Sequence, residues 1–373
     1  MSQSENYVFK LSKKSTTDRR NMFLFSVDPD NYSVYMFGGW NLDRHPRMTI
    51  RTFYRWLDLI LARRAFPEGP YDFELRVFQV QERYPLHYGL NDRAALGPAI
   101  ARDAEGAMPP GVYAAFYPGS DKVYWFGAKA DMRAVRSLQD ILENKYGKLS
   151  REQIEALATE YMHISAPIAE QVKQRDNNRC FFTGRTDVLT VQVIVIPANQ
   201  VTGESVDNVI TISSELVDAF RRNALSVDYD NEAYRTVVFA VLSPDPEVNA
   251  RLISLVQSNT VCTPATAPAL AAEFLRHHFM WTLRVHFEGG DIRGDYSETI
   301  IDELMVELAE DGDFSDERWK AGEGIERDIG DEVVRLWKRI YPRWTAPSRV
   351  VFPVDPEPVR PERYRHTRRA QQV

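Results

Sequence analysis

The side chains able to do chemistry are densest between residues 175 and 228. Arg175-Asp176-Asn177-Asn178-Arg179-Cys180-Phe181-Phe182-Thr183-Gly184 opens the stretch, and Gln192, Asp207, Asn208, Glu215 and Asp218 follow. Asp207, Glu215 and Asp218 offer the oxygen ligands that magnesium prefers. Imidazole is what the stretch lacks, because no histidine occurs between His163 and His277. Further on, His278 and His286 stand eight residues apart, and His277 and His286 nine. That is two helical turns or more, against the spacing of three or four that pairs metal ligands on one helix face. These histidines are therefore expected in the core or at the surface, His286 complementing a helix C-terminus. The only cysteines are Cys180 and Cys262. Without a paired Cys-x-x-Cys they argue against a structural zinc, and Cys180 reads as a small buried hydrophobe rather than a nucleophile.

The elements that must position these groups come in a fixed order. A basic helix end leads to Cys180 and Thr183-Gly184, and an apolar strand ends at Ile196-Pro197. Asn208 precedes Val209 to Ile212, a helix runs from Ser214 to Phe220, and a strand follows from Ala224 to Asp228. This order resembles the HNH endonuclease domain found inside many fungal proteins, over residues 175–228 of the 373. The resemblance implies a hairpin and a helix around one divalent metal. A histidine ending the first strand would act as general base on water, and a second on the helix would ligate the metal. The asparagine between them would brace the loop.

The pattern His-Ile-x-Pro meets Ile194-Val195-Ile196-Pro197 here, so the base position falls on Ile194. His-x-x-Phe-Asp meets Val217-Asp218-Ala219-Phe220-Arg221, so the ligand position falls on Val217 and Arg221 replaces the acid. Of the three signature residues Asn208 alone is present. Neither isoleucine nor valine binds a metal or moves a proton. Asp218, one step along the helix from Val217, points roughly 100° away. The resemblance thus leads to a nuclease-like scaffold without nuclease chemistry. A plainer reading of the same residues stays open: Val188, Leu189, Val191, Val193 and Ile194 to Ile196 also describe the buried strand of an ordinary mixed domain.

Composition narrows the classes. At 373 residues with 44% hydrophobic and 27% charged side chains, the chain reads as soluble and globular, with one large core or two moderate ones. No apolar run reaches the roughly 18 residues of a membrane helix, and the start lacks a secretory plan. Two cysteines fit a reducing compartment, so an intracellular site, cytoplasmic or nuclear, is expected. The net charge of −7 lowers the expectation of nucleic-acid binding, for which Lys173, Arg175, Arg179, Arg221 and Arg222 are the candidates. A solvated face explains the same cations.

The predicted fold class is α+β. It comprises a mixed α/β region over 1–148, an HNH-like ββα domain over 149–258 inside a largely helical C-terminal half, a helical region over 259–345 and a flexible tail over 346–373. Met22 to Val27 and Tyr32 to Phe37 read as strands about Asp28-Pro29-Asp30-Asn31, and Phe73 to Val80 as one strand. Thr49 to Arg64 is an amphipathic helix with Phe53, Trp56, Leu57, Ile60 and Leu61 on its stripe. Val112 to Tyr117 and Val123 to Phe126 read as a hairpin. Helices are predicted over Met132 to Tyr146, Ser150 to Ile164, Pro244 to Val256, Ala269 to Phe287, Ser297 to Leu308 and Asp328 to Tyr341. Another begins at Ser165. A strand is predicted over Thr236 to Leu242, and Asn259 to Pro268 is a linker.

Three functions follow. The leading one is a noncatalytic binding or scaffold protein that kept the fold and lost the reaction. The alternative is a repurposed enzyme of cyclase or isomerase type, in secondary metabolism, holding a small organic substrate in the emptied apolar pocket. Gln192, Glu215 and Asp218 would then be its polar groups. The second alternative is a metal-dependent endonuclease with non-standard ligands, and it alone would call for a cofactor, a divalent metal. The expected partner is a small apolar molecule or a protein rather than nucleic acid, with no metal site and no membrane.

Overall fold

The computed structural model describes residues 8–30, 32–61, 72–84, 86–90, 97–126, 142–143, 146, 148–197, 205–231, 235–258, 270–296, 299–301, 303–304 and 324–340. The predicted linker at 259–268 and tail at 346–373 lie outside them, as does most of the helix predicted over Met132 to Tyr146. The chain divides into two compact units, Met1–Glu298 and Thr299–Val373. The architecture is α+β.

In the first unit, helix α1 (Lys13–Asp18) precedes strands β1 (Met22–Val27) and β2 (Ser33–Trp40), then helix α2 (Ile50–Leu61). Strands β3 (Glu74–Val77), β4 (Val80–Tyr84), β5 (His87–Leu90), β6 (Ala99–Ile100) and β7 (Gly111–Phe116) complete a sheet of order β4-β5-β2-β1-β7-β3-β6. Helices α3 (Arg151–Tyr161) and α4 (Ala166–Asp176) lead to strands β8 (Thr190–Ile194) and β9 (Val209–Ser213). Helix α5 (Val217–Arg221), strands β10 (Leu225–Asp228) and β11 (Arg235–Val238), and helices α6 (Pro246–Ser258) and α7 (Leu270–Phe287) follow. In the second unit the longest described element is α8 (Ile325–Ile340), which buries Ile325, Ile329, Val333 and Val334.

β1 pairs antiparallel with β2 and parallel with β7, and all six of its residues are buried. Strand alternation sends Met22 and Leu24 into one core and Phe23, Phe25 and Val27 into another. The predicted stripe of α2 faces the first of these, where Phe53, Trp56, Leu57, Ile60 and Leu61 are all buried. A third core surrounds the hairpin of β8 and β9.

The run Phe73 to Val80 is not one strand. It breaks at Phe78, and its two halves lie toward opposite edges of the sheet. Phe73 and Leu75 enter one core while Phe78 and Val80 enter the other. The predicted hairpin after Val112 is also shorter than expected, for its second arm makes a single bridge, Phe116 to Val123.

Helix α7 ties the cores together, with Leu275 in the hairpin core and Phe279, Leu283 and Phe287 in the sheet core. Its last turn meets β2 at Gly38, where a Cβ would collide with the Phe287 carbonyl. Gly289, in the left-handed region at φ 70°, ends the helix and donates to the Phe37 carbonyl at 3.1 Å. Among the described residues no helix is long and apolar enough to cross a membrane.

Candidate functional site

The stretch from Arg175 to Arg222 folds by short-range hydrogen bonding. Arg175 closes α4 by donating to the carbonyls of Val206 at 2.8 Å and Val209 at 2.7 Å, and Asp176 Oδ2 accepts from the Thr211 N–H. After the helix, the Cys180 N–H donates to the Arg185 carbonyl and the Gly184 N–H to that of Cys180, both at 2.8 Å. Cys180 is fully buried, and its Sγ accepts from the Ser213 N–H at 3.2 Å.

β8 and β9 pair antiparallel, from Thr190 opposite Ser213 to Ile194 opposite Val209. Beyond the ladder, Asn208 Nδ2 donates to the Ile196 carbonyl at 2.8 Å, and its Oδ1 accepts from the Ile196 N–H at 2.9 Å. α5 then packs Ala219 and Phe220 against the hairpin core, with Val217 half-buried beside them. Ile194 is buried against Val172 and Val209.

A cavity of about 590 Å³ opens beside Ile194. One wall is α3 and the turn after it, with Ala158, Thr159 and Met162 followed by His163 and Ile164. The facing wall is the end of β8, carrying Gln192 and Ile194 and running on through Val195 and Ile196 to Pro197. Phe220, Arg221 and Arg222 border it at the end of α5, and His278 and Trp281 enter from α7. The buried members are Ile194, Val195, Ile196 and Phe220 with the polar Asn223 and His278, whereas Arg221 and Arg222 are exposed.

His278 stacks on Phe220, with centroids 4.2 Å apart and planes inclined by 10°. Its Nδ1 lies 2.7 Å from Ser226 Oγ and 3.5 Å from Thr282 Oγ1. Burial, reinforced by the neighbouring His277, pulls its pKa down to about 3. Such an imidazole is neutral near pH 7 and exchanges no proton there.

The other candidates separate. Gln192 lines the cavity, but Glu215 and Asp218 do not. Both carboxylates are exposed, and Glu215 pairs with Arg251 across the outer surface. Of the five cations, Lys173 and Arg179 are exposed away from the cavity, Arg175 is committed to the hairpin loop, and Arg221 and Arg222 border the opening. Among the described residues no three His, Cys, Asp or Glu side chains are grouped to hold a metal ion. The contributions of Ala158, His163, His278 and Trp281 were not legible in the sequence, since they come from α3, the turn after it and α7, outside the motif. The one signal was the phase of Ser150 to Ile164, which marks an apolar face without saying what it meets.

Compared with protein-family models, with curated proteins and with solved structures, the chain gives no match in any of the three.

Proposed function

We propose that the chain is a binding protein built on an HNH-like hairpin and helix, without nuclease chemistry, that encloses a small organic molecule in the cavity beside Ile194. The cavity carries this reading. At about 590 Å³ it has the size of small-molecule sites, and its lining sets apolar residues such as Ile194, Ile196, Phe220 and Trp281 beside polar ones such as Gln192 and Asn223. Ile194, on which the resemblance puts the catalytic base, forms part of its wall and can supply contact but no proton transfer. The cyclase or isomerase reading has less support, because Glu215 and Asp218 lie outside the cavity and His278 stays neutral near pH 7.

Dansylamide, a neutral apolar fluorophore, tests the proposal. It should bind saturably at one site per chain, and Ala158→Trp, which fills the cavity from α3, should abolish binding while leaving the unfolding midpoint within a few degrees. Binding that survives Ala158→Trp counts against it. So does plasmid nicking with magnesium, manganese, nickel or zinc that Asn208→Ala abolishes.

A further inference from the structure

The charge around the cavity does not match the charge of the chain. Acidic residues outnumber Lys and Arg by 53 to 46. Yet among the described residues no Asp or Glu lines the cavity, and the permanently charged ones that do are Arg221 and Arg222. Both guanidiniums are exposed, and neither makes an ion pair or side-chain hydrogen bond among the described residues. Among the described residues, Arg55, Arg76, Arg102, Arg175, Arg185, Arg251, Arg276, Arg284 and Arg293 each hold a carboxylate.

Resting on the binding reading above, we propose that the ligand is an organic anion. Its apolar body lies against Ile194, Ile196 and Trp281, and a carboxylate or phosphate sits at the mouth between Arg221 and Arg222. Guanidinium forks match both oxyanions and gain strength where solvent is partly excluded. The floor selects an apolar body and the rim selects negative charge.

The test compares dansylamide with dansylglycine, which adds a carboxylate to the same fluorophore. Dansylglycine should bind more tightly by about tenfold. Arg221→Gln/Arg222→Gln should erase that advantage, weakening dansylglycine about tenfold more than dansylamide. Lys173→Gln/Arg179→Gln, which removes equal charge elsewhere on the surface, should preserve it. Benzoate and phenyl phosphate, as competitors of dansylglycine, separate carboxylate from phosphate, and displacement by either supports the anion site. Equal binding of the two dansyl probes, or equal loss in both double variants, overturns the anion inference and leaves the cavity reading standing. Failure of both probes to bind overturns both. Displacement by a single-stranded oligonucleotide but by neither small anion overturns the inference in favour of a nucleic-acid surface.

Discussion

Asn208 holds Ile196 by both polar groups of its backbone, donating to the carbonyl at 2.8 Å and accepting from the N–H at 2.9 Å. Asn208 is 5% exposed and Ile196 2%, so water replaces neither bond. The asparagine is thereby explained by the loop it closes, whatever happens in the cavity. Asn208→Ala should cost about 2–4 kcal/mol in urea unfolding, because two buried backbone groups lose their partners. The Ile196 amide should also lose hydrogen-exchange protection. A cost under half a kilocalorie would show that the loop closes without the side chain.

A second tie joins the sheet to the strands after the hairpin. Arg55 on α2 pairs with Asp228 on β10 through both carboxylate oxygens, and Trp56 Nε1 donates to the same carboxylate at 3.0 Å. The two partners are unequally buried, with the arginine side chain 33% exposed and the aspartate 2%. Removing Arg55 strands a buried negative charge, whereas removing Asp228 frees a cation that water reaches. Arg55→Met should therefore cost about 3 kcal/mol, Asp228→Leu distinctly less, and the double variant should recover most of the loss. A double-mutant cycle on unfolding free energies checks this, and equal single-variant costs would defeat the asymmetry.

How far the residues spoke for themselves depended on how local the governing interaction was. The α2 stripe was readable because Phe53, Trp56, Leu57, Ile60 and Leu61 repeat at helical period, and all five are buried. β1 was readable as a short apolar run between turn residues. The break at Phe78 was not, because both halves of Phe73 to Val80 favour strand. What parts them is pairing, with the distant β7 for one half and with β5, which follows directly, for the other. The cavity divides the same way. Gln192 and Ile194 were singled out from the motif, while Trp281 and His278 join them only through the packing of α7. Glu215 and Asp218 sat within the motif in sequence, yet both are turned to solvent, one in the turn before α5 and the other on it.

His278 makes folding sensitive to acid. Burial holds its folded pKa at about 3, below the ordinary 6.5, so the unfolded chain takes up a proton that the folded chain refuses. The stability this contributes is complete above pH 6.5 and is lost as pH falls from about 6.5 toward 3, at about 1.4 kcal/mol per pH unit. Carboxylates titrate within the same window, so the informative quantity is a difference of slopes. His278→Gln should be less stable than the parent at pH 7 and should lose stability more slowly between pH 6 and 4. Parallel pH profiles would mean that this imidazole is not held neutral.

Arg20 closes the carboxyl end of α7 from the opposite direction. Its guanidinium donates to the carbonyls of His286 at 2.6 Å, Phe287 at 3.1 Å and Gly289 at 2.7 Å, and Lys14 donates to those of Val285 and Glu288. Two buried cations thus take up carbonyls that a helix end leaves without amide partners, where its dipole also favours positive charge. Arg20→Met keeps the packing of the stem and removes every donor, which should cost about 3 kcal/mol. Arg20→Lys retains the charge but cannot fork across three carbonyls, so it should restore less than half of that loss. Since α7 also carries His278 and Trp281, the methionine variant should weaken dansylamide binding as well, and the lysine variant should return affinity in proportion to stability. Full recovery by lysine would assign the effect to charge at the dipole rather than to the geometry of the fork.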